Sequence, residues 1–155
     1  MARKTLYMET TQIPAAKTIG EIQEFLTEVG AAAIQISNNR ETRQPKSLSF
    51  MFEVDGVEMP FRLPARIEPV FQNLQKKRSD RTREKQQEAD FEQARRVAWR
   101  QILRWLEAQF ALIDTGMVDP AEVFLAYAQV DIDTTFYQKL KEDNFRKLLP
   151  AGNPA

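Results

Sequence analysis

Apolar and polar positions along this chain follow two different periods, mixed as far as Leu63 and mainly helical after it. "KTLYMETTQI" (Lys4–Ile13) alternates loosely and is rich in Thr, which predicts a short first strand. In "KTIGEIQEFLTEVG" the residues Ile19, Ile22, Phe25, Leu26 and Val29 recur at helical spacing. Thr18 and Glu21 have the spacing of a capping box at the start of that helix, and Gly30 supplies its left-handed stop. "AAAIQIS" (Ala31–Ser37) reads as a strand with Ile34 and Ile36 on one face. A polar loop, Asn38–Lys46, follows. "SLSFMFEV" then sets Leu48, Phe50, Phe52 and Val54 inward against Ser47, Ser49, Met51 and Glu53. Asp55-Gly56 is favoured in a tight hairpin because both turn positions need positive φ. Val57–Leu63 is the return strand, and Pro60 places it at an edge or on a bulge. The first half is therefore expected as β-α-β-β-β, a small antiparallel sheet covered by a helix.

The second half is helical. Pro69 excludes a helix interior, so "PARIEPVFQNLQKK" turns helical from about Glu68. Lys76–Asp90 has no apolar residue larger than Ala and is expected to bury nothing, as a flexible charged segment or the frayed ends of two helices. One long amphipathic helix runs from Phe91 to Thr115, stopped by Gly116. "DPAEVFLAYA" begins another, with Asp119 as N-cap and Pro120 at the first helical position. "DTTFYQKLKEDNFRKLL" closes as a final amphipathic helix, ahead of a loose tail at 150–155. The expected class is α+β, one domain over 1–155.

Composition narrows the chemistry. A chain of 155 residues with 43% apolar content supports one core. No stretch reaches the roughly 18 apolar residues of a membrane helix, and the N-terminus has no apolar signal region, so a cytoplasmic protein without a membrane partner is expected. Cys and His are both absent. That removes disulfides, thiolate nucleophiles, cysteine zinc sites and every histidine-based triad. No motif asks for a cofactor. Asp131 and Asp133 in "VDIDTT" lack the central Gly and distal Glu of a calcium loop, so no metal site is expected. A non-enzymatic protein is the expectation.

Charge is balanced overall at 22 basic and 22 acidic residues, yet it is divided. From Lys76 to Arg104 ten basic residues face five acidic ones, a net of +5 that the remainder offsets. Within "RRVAWRQILRW", Arg96, Arg100 and Arg104 share one helix face at i, i+4, i+8, with Arg95 and Trp99 beside them. One reading is a solvated face, its arginines paired with Glu92 and Glu107 and its tryptophans in the core. The other is a guanidinium row next to an aromatic plane, suited to phosphates and bases. On that reading Arg96, Arg100 and Arg104 bind phosphates, Trp99 stacks a base, and Arg62, Arg66, Arg95, Lys76, Lys77 and Arg78 join the surface.

The segments "IPAAKTIGEIQEFLTEVGAAAI", "PFRLPARIEPVF" and "RVAWRQILRWLEAQFALIDTGMV" together resemble a class of small uncharacterised accessory proteins encoded by bacteriophages and other mobile elements. The resemblance spans roughly Ile13–Val130 and carries neither a named domain nor a catalytic residue set. It implies work in the cytoplasm of an infected bacterium, on the element's nucleic acid or against host defences. The expected function is binding of a phosphate-rich ligand, single-stranded nucleic acid or a nucleotide signal. The alternative is a counter-defence inhibitor or assembly factor that binds a host defence protein, with the same Arg and Trp residues as hot spots. A homo-oligomer, at least a dimer, is expected through the long helix, because Val97 and Leu103 add apolar positions beyond the Ile102 and Leu106 side.

Overall fold

The computed structural model describes residues 5–152 and is α+β. Its first element is helix α1 (Ala15–Glu28), capped by Pro14. The helix starts upstream of Thr18 because Lys17 and Thr18 already donate to the Pro14 carbonyl at 3.1 Å. Thr18 is thus a buried interior residue, and the expected Thr18–Glu21 capping box does not form. Gly30, at φ 101°, ends the helix as expected, and Ala31 returns its amide to the Leu26 carbonyl.

Three antiparallel strands follow in the order β1 (Ala33–Asn38), β2 (Pro45–Val54) and β3 (Val57–Pro64). The register sets Ile34, Phe50 and Phe61 in one row and Ile36, Leu48 and Leu63 in the next, all on one face. Asp55 (φ 51°) and Gly56 (φ 80°) make the two-residue hairpin that their chemistry demands. A Cβ at Gly56 would meet open space, so its cost is conformational alone. Gly56→Ala is expected to lose about 1 kcal/mol, read as a lower urea midpoint at unchanged slope. Pro60 lies on an edge strand, as anticipated. The expected strand over Lys4–Ile13 is not found: Lys4 lies outside the described residues, and from Thr5 onward the segment forms turns, with Met8 left-handed at φ 64°.

Helix α2 (Ile67–Lys76) carries Pro69 in its first turn, where a missing N–H costs nothing. Next come α3 (Asp80–Lys85) and α4 (Gln87–Asp114), which begins four residues before the expected Phe91. The stretch Lys76–Asp90 was expected to bury nothing, and Asp90 corrects this. It is 4% exposed, and it accepts from Arg78 at 2.7 and 2.8 Å and from Gln75 at 2.7 Å. That hydrogen bond holds the Arg78 guanidinium above its ordinary pKa.

Helices α1 and α4 cover most of the inner sheet face, and Phe124 completes the cover against Phe50 and Phe61. Ile19, Ile22 and Leu26 from α1 and Trp99, Leu103, Leu106 and Phe110 from α4 meet Leu48, Phe50, Phe52, Phe61 and Leu63. A second cluster joins α2 to the start of α4, with Phe71 stacked on Phe91 at 3.8 Å. Gln93 donates to the carbonyls of Glu9 and Thr11, and Gln101 to that of Tyr7, so the N-terminal segment is strapped across α4. Val97 and Leu103 are buried inside this arrangement, and Ile102 packs on the main core. The spare apolar side that suggested pairing through α4 is therefore covered by the chain itself.

The C-terminal part departs most from expectation. α5 (Pro120–Phe124) starts at Asp119 as foreseen, although the Asp119 side chain makes no capping bond. After a 3₁₀ turn at Leu125–Tyr127 comes a short hairpin, β4 (Gln129–Asp131) and β5 (Thr134–Thr135). The single expected helix is instead α6 (Phe136–Glu142), followed by left-handed Asn144 and Phe145 and a 3₁₀ turn at Arg146–Leu148. A capping box does occur here: Thr135 accepts from the Gln138 amide, and the Gln138 side chain accepts from the Thr135 amide at 2.8 Å.

Candidate functional site

In the arginine row of α4 only Arg100 is buried, and Arg95, Arg96 and Arg104 are partly exposed. Arg100 is 4% exposed and ion-pairs with Glu21 of α1. Arg96 donates to Gln93 at 3.1 Å, and its Nε is buried without a partner. Arg104 pairs with Glu107 at 2.8 Å and Arg95 with Glu92 at 3.0 Å. Arg78 is held by Asp90 and Lys77 by Glu9, while Lys76 lies in the last turn of α2. Trp99 is 1% exposed in the main core, so no base can stack on it. Of the row that shares a helix face, only Arg100 turns to a neighbouring helix, while Arg95 and Arg104 pair with carboxylates three residues away on α4 and stay partly exposed.

Arg62 and Arg66 end up elsewhere. β3 runs out at Pro64, and Ala65 is pinned by donating to the Lys46 carbonyl at 2.8 Å. The chain then turns at once into α2, which leaves Arg66 exposed at the corner. Among the described residues Arg66 has no hydrogen-bond or ion-pair partner. Arg62 lies in the outer row of the sheet beside Ser49 and meets Asp133 of the β4–β5 hairpin at 3.3 Å. That carboxylate is 87% exposed, and such a contact contributes little.

Arg66 stands between two adjoining depressions. The larger, about 260 Å³, lies between β3, α2 and α4 and is lined by Leu63, Val70, Gln101, Ile102, Trp105 and Tyr127. The smaller, about 90 Å³, is lined by Arg62, Asp133, Thr135, Tyr137 and Gln138, and the two share Pro64, Arg66 and Tyr127. Trp105 is half-buried, edge-on to Phe124 at 5.5 Å and to Tyr127 at 5.6 Å. The Phe61–Ala128 bridge ties the 3₁₀ turn to the sheet and brings Tyr127 against the Arg62–Arg66 corner. The result is one groove with two guanidinium groups and three aromatic rings.

Of the groove's lining, sequence reasoning named Arg62 and Arg66, as additions to the arginine face of α4, and did not name Trp105, Tyr127 or Tyr137 as site residues. Among the described residues no group of three or more acidic side chains could hold a metal ion. No described helix is long and apolar enough to cross a membrane. No family model, curated protein or solved structure matches the chain.

Proposed function

We propose that this chain is a non-enzymatic accessory protein of the bacteriophage kind, which binds a phosphate-bearing ligand in the groove around Arg66. The ligand is a nucleotide or a short stretch of single-stranded nucleic acid, met in the cytoplasm of an infected bacterium. The observation that carries this reading is Arg66 itself, an exposed guanidinium without a partner at the lip of an aromatic-lined depression. A guanidinium fork matches phosphate geometry, and aromatic side chains give a base something to stack on. Arg62 joins once a phosphate displaces the weakly held Asp133. The larger depression is below the roughly 300–1,000 Å³ of drug-sized sites, which suits one ring and not an extended cofactor.

The test uses tryptophan fluorescence, with ATP and a short oligothymidylate as probes. Of the two tryptophans only Trp105 borders the groove, so quenching reports on the site directly. Arg66→Glu is expected to weaken binding about 10- to 100-fold while the protein stays folded. Affinity for the oligonucleotide is expected to fall log-linearly with salt. Equal binding of both probes by the variant and the parent protein would overturn the reading.

A second reading, a counter-defence protein that grips a host protein, rests on a different observation. Ile132 is 82% exposed at the hairpin tip, and Val130, Leu125, Leu148 and Leu149 are also exposed on the C-terminal elements. Under that reading Ile132→Asp abolishes binding to the protein partner, whereas Arg66→Glu leaves it unchanged.

A further inference from the structure

The two edges of the three-stranded sheet are treated differently. The β3 edge is guarded: it carries Pro60 and Glu58, and Phe61 is bridged to Ala128. Proline, charge and covering loops are the usual protections against unwanted strand pairing. The β1 edge bears no proline and no charged residue, and its one interruption is the register shift after Ser37. β2 is its sole strand neighbour among the described residues. Val29–Asn39 contains no charged residue, the longest such run in a chain that is 28% charged. Ile34 and Ile36 point toward the core but are only half-buried, as though the apolar row continued past the edge.

β1 is also matched to its own copy. Its regular pairing runs from Ala33 to Ser37, and the register shifts after Ser37. The centre of that stretch is Gln35. A two-fold axis through Gln35 sets Ile34 opposite Ile36 of the second copy, Ala33 opposite Ser37, and Gln35 opposite itself. Every residue keeps its face, because a register centred on a residue preserves the alternation. The inner isoleucines then form one apolar row across the junction, and no charge opposes the approach.

We propose that β1 is a homodimerisation edge, where a second copy of this chain pairs antiparallel about Gln35 to make a continuous six-stranded sheet. The contact is isologous and closes on itself, and the guarded β3 edge stops further growth. A strand pair of this length buries less than the about 1,200–2,000 Å² of a permanent interface, so the dimer dissociates on dilution.

Sedimentation velocity across a micromolar to submillimolar series is expected to show a species rising toward twice the 18.0 kDa of the chain. Gln35 is exposed, so Gln35→Lys leaves the fold intact while placing like charges opposite each other. It is expected to weaken association about tenfold with the melting temperature unchanged. The chain has no cysteine, so Gln35→Cys supplies a single thiol. Under mild oxidation it is expected to form a disulfide-linked dimer faster than Ala111→Cys, at an exposed position on α4. The proposal is overturned by a monomer at every concentration or by open-ended oligomers. Unchanged association in Gln35→Lys, or equal cross-linking of the two cysteine variants, overturns it as well.

Discussion

Trp99→Ala is expected to destabilise the protein by about 3–5 kcal/mol, one of the two largest effects expected for this chain. Trp99 heads the fully buried side chains by volume and sits where α4 meets the inner sheet face. Truncation removes its transfer free energy and leaves a cavity in the close-packed core cluster that its neighbours refill only in part. Against a total of about 5–15 kcal/mol for a typical domain, that loss is a large fraction of the fold's stability. A drop of about 10 °C or more in melting temperature is the expected reading. The result also separates the two tryptophans. Trp105→Phe, at the groove wall, is expected to change stability far less and to abolish ligand-dependent quenching. A Trp99→Ala protein that melts like its parent would mean that this side chain is not in the core.

Glu21→Leu is the second large effect, at about 3–5 kcal/mol lost. It leaves the Arg100 guanidinium buried without its carboxylate, in a place where its Nε already has no partner. The reverse deletion, Arg100→Met, is milder, because Glu21 is 35% exposed and water can reach it. Combining Glu21→Leu with Arg100→Met removes both charges and is expected to recover most of the loss, since apolar replacement of a buried pair is often close to neutral. Urea denaturation of the four proteins measures the coupling. A sum of single effects equal to the double would show that the two groups do not interact.

This ion pair also marks where pattern reading stops. Periodicity placed Arg96, Arg100 and Arg104 on one face correctly, but it cannot say what the face meets. α4 is covered by the sheet, α1 and α2, so its buried residues wrap most of the helix, and the polar ones among them need distant partners. Glu21 lies 79 residues from Arg100, beyond any local signal. The elements that were legible carry their own punctuation. These are the β2–β3 hairpin with Asp55-Gly56, the end of α1 at Gly30, and the end of α4 before Gly116 at φ 76°. Those that were not legible are short. The β4–β5 hairpin has too few residues for an alternation to register, and its turn has no glycine. Half of the groove was legible: Arg62 and Arg66 stand near each other in sequence, whereas Tyr127 arrives through the single bridge at Ala128.

Because α4 roofs the core, the order of synthesis bears on how this chain folds in a cell. The sheet is complete at Pro64, yet Phe124 of α5, which packs on Phe50 and Phe61, comes about 60 residues later. At about 5–20 residues per second the ribosome leaves the inner row of Leu48, Phe50, Phe52, Phe61 and Leu63 incompletely covered for about 3–12 s. During that interval an unguarded β1 edge and an open apolar face are exposed together on each nascent chain. Slower translation through α4 therefore lengthens the period in which neighbouring chains on one message can join wrongly, and faster release from the ribosome shortens it.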